Sequence, residues 1–158
     1  MKKFAFSKSI FENLVKHLVE IEENKNELLE TYFPESSRKR NEFLKILNNY
    51  LAQINTVIQN TSISENTNND FPYVIIGSDV EVADLNDQKV YSFRIVSPFD
   101  VMESIESNDV SYLSPVGMSL LLKKVGTNVV ISTPGGECRY KIQSIKLPRS
   151  WGNKNAGM

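Results

Sequence analysis

Two apolar stripes in the first sixty residues constrain this chain more than any other feature. Phe11, Leu14, Leu18, Ile21, Lys25, Leu28 and Tyr32 follow one another at alternating steps of three and four, which is heptad spacing. A second stripe, Phe43, Leu47, Tyr50, Ile54 and Val57, is flanked by Leu44, Leu51 and Ile58. Ser7 or Ser9 caps the first helix, with Glu12 placed to complete a capping box after Ser9. Pro34 disfavours helical geometry in the residue before it, so this helix ends near Phe33, after about 26 residues or ~39 Å. Ser36 or Ser37 caps the second helix, which runs to about Gln59. Only a few residues join the two, so the helices must return antiparallel and pack as a hairpin. Lys25 interrupts the seam and must either extend its ammonium to water or fix the register.

The periodicity changes beyond residue 60. The segment 61–72 holds Asn, Ser and Thr without an apolar period and reads as a linker. The runs 73–76, 80–83, 90–96, 110–113, 128–133 and 139–147 are β-branched, aromatic or alternating, which predicts strands. Turn residues fall between them, among them Asp79, Asn86 and Pro134-Gly135-Gly136. Ser114 is a natural cap and Pro115 a favourable first-turn residue for a short helix over 116–124. The expected fold class is α+β: a coiled-coil hairpin over 1–60, a linker over 61–72, an antiparallel sheet with one short helix over 73–147, and a frayed tail over 148–158.

Composition excludes several functions. The 158 residues carry a formal net charge of −1, nearly balanced in each half, so no global basic field points to nucleic acid. Cys138 is the single cysteine, which rules out an intramolecular disulfide and a thiolate metal cluster; it reads as a small strand filler. His17 is the single histidine and reads as a partly exposed helix residue, so no Ser/His/Asp constellation stands on more than that one ring. No Gly-rich phosphate loop, secretion signal or membrane-length apolar run is present, and a cytoplasmic protein is expected.

The block 114–147, SPVGMSLLLKKVGTNVVISTPGGECRYKIQSIKL, together with Ile75-Ile76-Gly77-Ser78-Asp79-Val80 and the strand 91–96, resembles the C-terminal domain of the bacterial transcript-cleavage factors GreA and GreB. The likeness is specific over 74–147 and only architectural over the hairpin. It implies an FKBP-like sheet, without isomerase activity. It also implies RNA polymerase as partner, with the sheet domain docked at the mouth of the secondary channel and the hairpin inside it. By resemblance, docking involves the loop 100–109 and the helix start, with Asp100, Met102, Asp109, Ser114, Pro115 and Met118. Phe99, Met102, Ile105 and Met118 would form an apolar contact rimmed by Asp100, Glu103, Glu106 and Asp109, or else would close the domain's own core.

The family's chemistry needs an acidic tip, because hard oxygen ligands must hold a second Mg²⁺ beside the one the polymerase supplies. The family tip reads like D-L-S-E-N-A-E-Y. Matching Asn41-Glu42-Phe43 to its A-E-Y puts Ser36 where the Asp belongs and Lys39 where the Glu belongs. Arg38, Lys39 and Arg40 add three cations there, while Glu30 and Glu35 are the nearest carboxylates. The expectation is therefore a monomeric accessory factor, itself no enzyme, with no catalytic residue, metal site or cofactor of its own. It would alter elongation, or compete for the channel, without efficient cleavage. Its basic tip would touch phosphate, nascent RNA near the 3′ end or an acidic polymerase loop, or would simply be a solvated first turn. Two alternatives stand beside this: a working cleavage factor using Glu30 and Glu35 with the polymerase's Mg²⁺, and a coiled-coil interaction module that does not act on polymerase. Binding of DNA is expected only at the level of the family.

Overall fold

A computed structural model describes residues 3–66, 71–100 and 108–151. The chain forms two compact units, divided between residues 69 and 70.

The first unit is built on α1 (Lys8–Tyr32) and α2 (Arg38–Gln59). Of the alternative caps, Ser7 and Ser37 are used: Ser7 Oγ accepts from Ile10 N and Ser37 Oγ from Arg40 N. The seam holds Ile10, Leu14, His17 and Leu28 of α1 against Phe43, Leu47, Tyr50, Ile54 and Val57 of α2. On α1 this differs from the expected stripe, since Phe11 and Leu18 are half-buried and Tyr32 is exposed. His17 is the reason. Its helix position predicts partial exposure, but it is buried, and its Nε2 lies 2.7 Å from the hydroxyl of fully buried Tyr50. A polar ring tolerates the seam only with such a partner. Lys25 is half-buried and donates to Asn48 Oδ1 at 3.1 Å.

The hairpin also has a clasp that periodicity did not announce. Strand β1 (Phe4–Phe6) precedes α1, and β2 (Thr61–Ile63), in the segment read as linker, pairs with it in parallel. Phe6 of β1 is buried, and Lys8 N donates to Glu65 Oε2. Three-residue strands are too short to show a period of two, which is why they escape a sequence reading.

The second unit is a five-stranded sheet in the order β5-β4-β3-β7-β6, with β3 Asp79–Asp84, β4 Val90–Val96, β5 Asp109–Ser111, β6 Asn128–Thr133 and β7 Gly136–Lys146. Neighbours are antiparallel except β4 and β5, which run parallel. The twelve-residue span 97–108 between them is long enough for the crossover that parallel pairing requires. The helix α3 (Pro115–Leu120) is shorter than expected, because Leu122 turns to a φ of 67°. Val80, Val82, Ile95, Leu120, Ile131 and Ile142 form the core, each buried side chain contributing roughly 1.5–3 kcal/mol.

Two expectations fail here for local reasons. Residues 73–76 form no strand: Ile75 N donates to Ser78 Oγ, Ser78 N returns to Ile75 O, and Gly77 has a φ of +100°, so the chain turns. The start of the tail is not frayed. Pro148 packs so closely on Gly77 that a Cβ there would lie 2.9 Å from its Cγ, Arg149 pairs with Asp79, and Trp151 is buried.

Candidate functional site

Two places carry the residues singled out from the sequence, one in each unit.

The tip of the hairpin is the first. Phe33 ends α1, its N–H donating to Leu29 O, and its ring stacks on Phe43 with centroids 5.1 Å apart. Arg40 is half-buried, and its Nη1 donates to Phe33 O at 2.6 Å. Arg40 therefore ties the first turn of α2 to the end of α1. It is not part of a free basic cluster. Arg38 and Lys39 are exposed, as are Glu30, Glu35 and Ser36. Among the described residues, neither the Arg38 nor the Lys39 side chain takes a hydrogen-bond or ion-pair partner.

This tip does not fit a bound Mg²⁺. Ser36 and Lys39, the positions that the resemblance matches to the acidic pair, present a hydroxyl and an ammonium, and the first turn of α2 holds no acidic residue. Glu30 lies on α1 and Glu35 in the loop, and the cations Arg38 and Lys39 follow directly. A hard divalent ion needs several carboxylate or carbonyl oxygens converging without adjacent positive charge. Among the described residues, no group of three His, Cys, Asp or Glu side chains converges to hold a metal.

The second place is the corner where β5 meets α3. Ser111 organises it: its Oγ accepts from Leu113 N, and its carbonyl accepts from both Ser114 N and Ser114 Oγ, the latter at 2.6 Å. Ser114 Oγ in turn caps α3 through Gly117 N at 3.1 Å. Gly117 is buried, and any Cβ on it would lie 2.1 Å from Ser111 O. The corner is thus a rigid knuckle. It leaves Pro115 and Met118 exposed, Ser114 half-buried, and Phe99 and Asp100 exposed at the end of β4.

Asp109 behaves differently from its expected role as a rim acid. Its side chain is 1% exposed and forms a bidentate pair with Arg94, at 2.8 and 3.0 Å. These hydrogen bonds raise the Arg94 pKa further. The corner shows solvent part of the Arg94 guanidinium, not the Asp109 carboxylate. No spacing signal marks this pair, because Arg94 and Asp109 become neighbours only through the parallel register of β4 and β5. Met102, with Glu103, Ile105 and Glu106, lies outside the described residues.

The chain thus combines a helical hairpin that carries polar residues at its turn with a sheet unit whose corner is held by Ser111 and Ser114. Residues 69–147, half of the chain, match the family described as Transcription elongation factor, GreA/GreB, C-term. The transcription elongation factor GreA of Bacillus cytotoxicus is 37% identical over 98 residues, covering 61% of this chain and 60% of that one. GreA of Syntrophus aciditrophicus is 27% identical over 165 positions and covers 93% of this chain and 97% of its own. In fold, the chain is similar to the prokaryotic transcription elongation factor GreA/GreB from Nitrosomonas europaea, with a TM-score of 0.50 at 20% identity, covering 92% of this chain and all of that one. The chain belongs to the GreA/GreB family of transcription elongation factors. Among the described residues, no helix is long and apolar enough to cross a membrane.

Proposed function

We propose that this chain binds bacterial RNA polymerase through the corner formed by Ser111, Ser114, Pro115 and Met118, and carries its hairpin tip into the secondary channel without efficiently stimulating transcript cleavage. The observation that carries the proposal is the tip itself. By the resemblance, Ser36 and Lys39 take the places of the family's carboxylates, and both are exposed beside an exposed Arg38. Water attack assisted by a second metal ion needs carboxylate oxygens at that point, and a pair of cations opposes the ion. The factor acts by occupying the channel, so elongation, pausing or the access of other factors changes while the polymerase keeps its own chemistry.

The docking half of the proposal has support of its own. Pro115 and Met118 are exposed on a preformed backbone, so little ordering is needed on binding. Asp109 contributes by holding Arg94, not by facing the partner.

Competition tests the proposal. A cleavage factor of the family with an acidic tip is added to stalled polymerase, and this protein is titrated in. The expected result is progressive suppression of cleavage, relieved by Met118→Asp, which places a charge in the contact. Absence of suppression at saturating protein, with no association on co-sedimentation, would remove polymerase as the partner and favour an interaction module of another kind. Cleavage stimulated by this protein alone would favour the reading in which Glu30 and Glu35 serve the polymerase's Mg²⁺.

A further inference from the structure

The two edges of the five-stranded sheet are built differently. β5 is three residues long, and its Asp109 is tied to Arg94 of the neighbouring strand. β6, at the other edge, is six residues long, pairs only with β7, and reads Asn-Val-Val-Ile-Ser-Thr without a charge or a proline. Short edge strands, lysines, prolines and bulges are the usual means by which a sheet avoids adding a further strand. β5 is short; β6 uses none of these. The hairpin that joins β6 to β7 sets which backbone groups are open. Thr133 and Gly136 flank a two-residue turn as register partners and exchange both their hydrogen bonds, and so do Ile131 with Cys138 and Val129 with Tyr140. The bond from Ile142 N to Thr127 O keeps the same phase. Asn128, Val130 and Ser132 therefore turn their N–H and C=O groups to the open side, where no described residue bonds to them. Their side chains are exposed, Val130 to 52%, while Val129 and Ile131 are buried on the opposite face.

We infer that the open edge of β6 is a self-association surface, on which β6 of a second copy of this chain adds antiparallel about a two-fold axis at Val130. In that register Val130 faces Val130 of the second copy, and on either side Asn128 faces Ser132. Each N–H and C=O that one edge leaves open then meets its counterpart, so none of these groups stays unpaired. The side chains suit the same register. Two β-branched valines meet at the axis, the Asn128 amide lies opposite the Ser132 hydroxyl, and Val129 faces Ile131 on the buried side. Charge favours it too. Lys141, Arg139 and Glu137 on β7 are the register neighbours of Asn128, Val130 and Ser132. The rows flanking the axis therefore set Lys141 of one copy against Glu137 of the other. The two Arg139 side chains stand three strand spacings apart, about 14 Å, beyond the Debye length of about 10 Å at about 0.1 M salt. Each Arg139 also has Glu137 of its own chain at 3.8 Å. A second copy is thus favoured over an unrelated strand, because residues 128–132 are complementary to themselves when reversed about Val130. This departs from the monomer expected from sequence.

The test uses the full chain without polymerase, so its outcome is separate from that of the docking proposal. Sedimentation equilibrium from low micromolar to millimolar protein measures the dimer for the wild type, Val130→Lys and Val90→Lys. Val130→Lys sets two ammonium groups against each other across the axis. Val90 is 55% exposed on β4, with β3 and β7 between it and β6, so Val90→Lys adds the same charge away from the edge. Urea unfolding followed by Trp151 fluorescence checks that each variant keeps its sheet. The expected result is a reversible dimer of the wild type and of Val90→Lys, and dimerisation weaker by about tenfold or more in Val130→Lys. Amide hydrogen exchange of the wild type, read residue by residue by NMR, tests the register without any substitution. The Asn128, Val130 and Ser132 amides should exchange quickly in dilute protein and slow as the concentration rises. The Val129 and Ile131 amides, already bonded to β7, should be protected at every concentration. A chain that stays monomeric throughout overturns the inference and leaves the edge to an extended segment of another protein. A dimer that Val130→Lys leaves intact, or that Val90→Lys weakens equally, overturns it as well.

Discussion

Replacing Gly117 by alanine tests the knuckle on which docking is proposed to depend. A Cβ at this position would sit 2.1 Å from Ser111 O and 2.8 Å from both Ser111 C and Tyr112 Cα. All three are backbone atoms, so no rotamer change relieves the contact. Ordinary carbon contacts lie near 3.5–4 Å, and α3 would have to move away from β5 by about 1 Å or more. Such overpacking costs about 1–3 kcal/mol. The same movement pulls Gly117 N from Ser114 Oγ, and loss of an N-cap adds about 1 kcal/mol. A loss of about 2–4 kcal/mol from the sheet unit follows. Trp151 is the only tryptophan and is buried in that unit, so its fluorescence during urea unfolding reports the sheet apart from the hairpin. With a slope of about 1–1.5 kcal/mol/M, the midpoint should fall by about 1.3 M or more. Gly135→Ala is the control, since the nearest atom to a Cβ there is Thr133 Oγ1 at 3.9 Å, and the stability should stay within about 0.5 kcal/mol of the wild type. An unchanged midpoint in Gly117→Ala would refute the packing of α3 on Ser111, and with it the preformed corner.

Other consequences follow from the buried polar groups. Burial holds the His17 pKa down at about 4, against 6.5 unfolded. The unfolded chain therefore binds more protons between these values, and hairpin stability, whole above pH 6.5, falls by about 3 kcal/mol as the pH drops to 4. Helical circular dichroism in urea across that window measures it; His17→Leu with Tyr50→Phe should flatten the slope, and an unchanged slope would contradict the burial. Arg94→Met leaves the Asp109 carboxylate buried beside a thioether, and should cost the sheet unit about 3 kcal/mol by Trp151 fluorescence. An exposed, dispensable pair would cost less than about 1 kcal/mol.

The elements that could be read from sequence are those whose signal is local and long. The caps at Ser7, Ser37 and Ser114 need only one side chain and the helix that follows. The strands Val90–Val96 and Asn128–Thr133 have enough residues to show their character. What was missed depends on distant partners. His17 looks like a surface residue until Tyr50, 33 residues away, supplies its hydrogen bond. Asp109 looks like a rim acid until the parallel register brings Arg94 beside it. The same holds at the tip: Ser36 and Lys39 were legible as departures from an acidic pair, but the withdrawal of Arg40 to the Phe33 carbonyl is a matter of side-chain placement that spacing does not carry.

The central claim is that the tip, not the docking corner, decides whether this protein promotes cleavage. Transcript length in a backtracked elongation complex, at a Mg²⁺ concentration where polymerase alone is inactive, measures it most directly. The wild type should leave the transcript intact, whereas Ser36→Asp with Lys39→Glu should produce shortened RNA. Robust shortening by the wild type, or none by the double variant when both bind polymerase equally, would contradict the account.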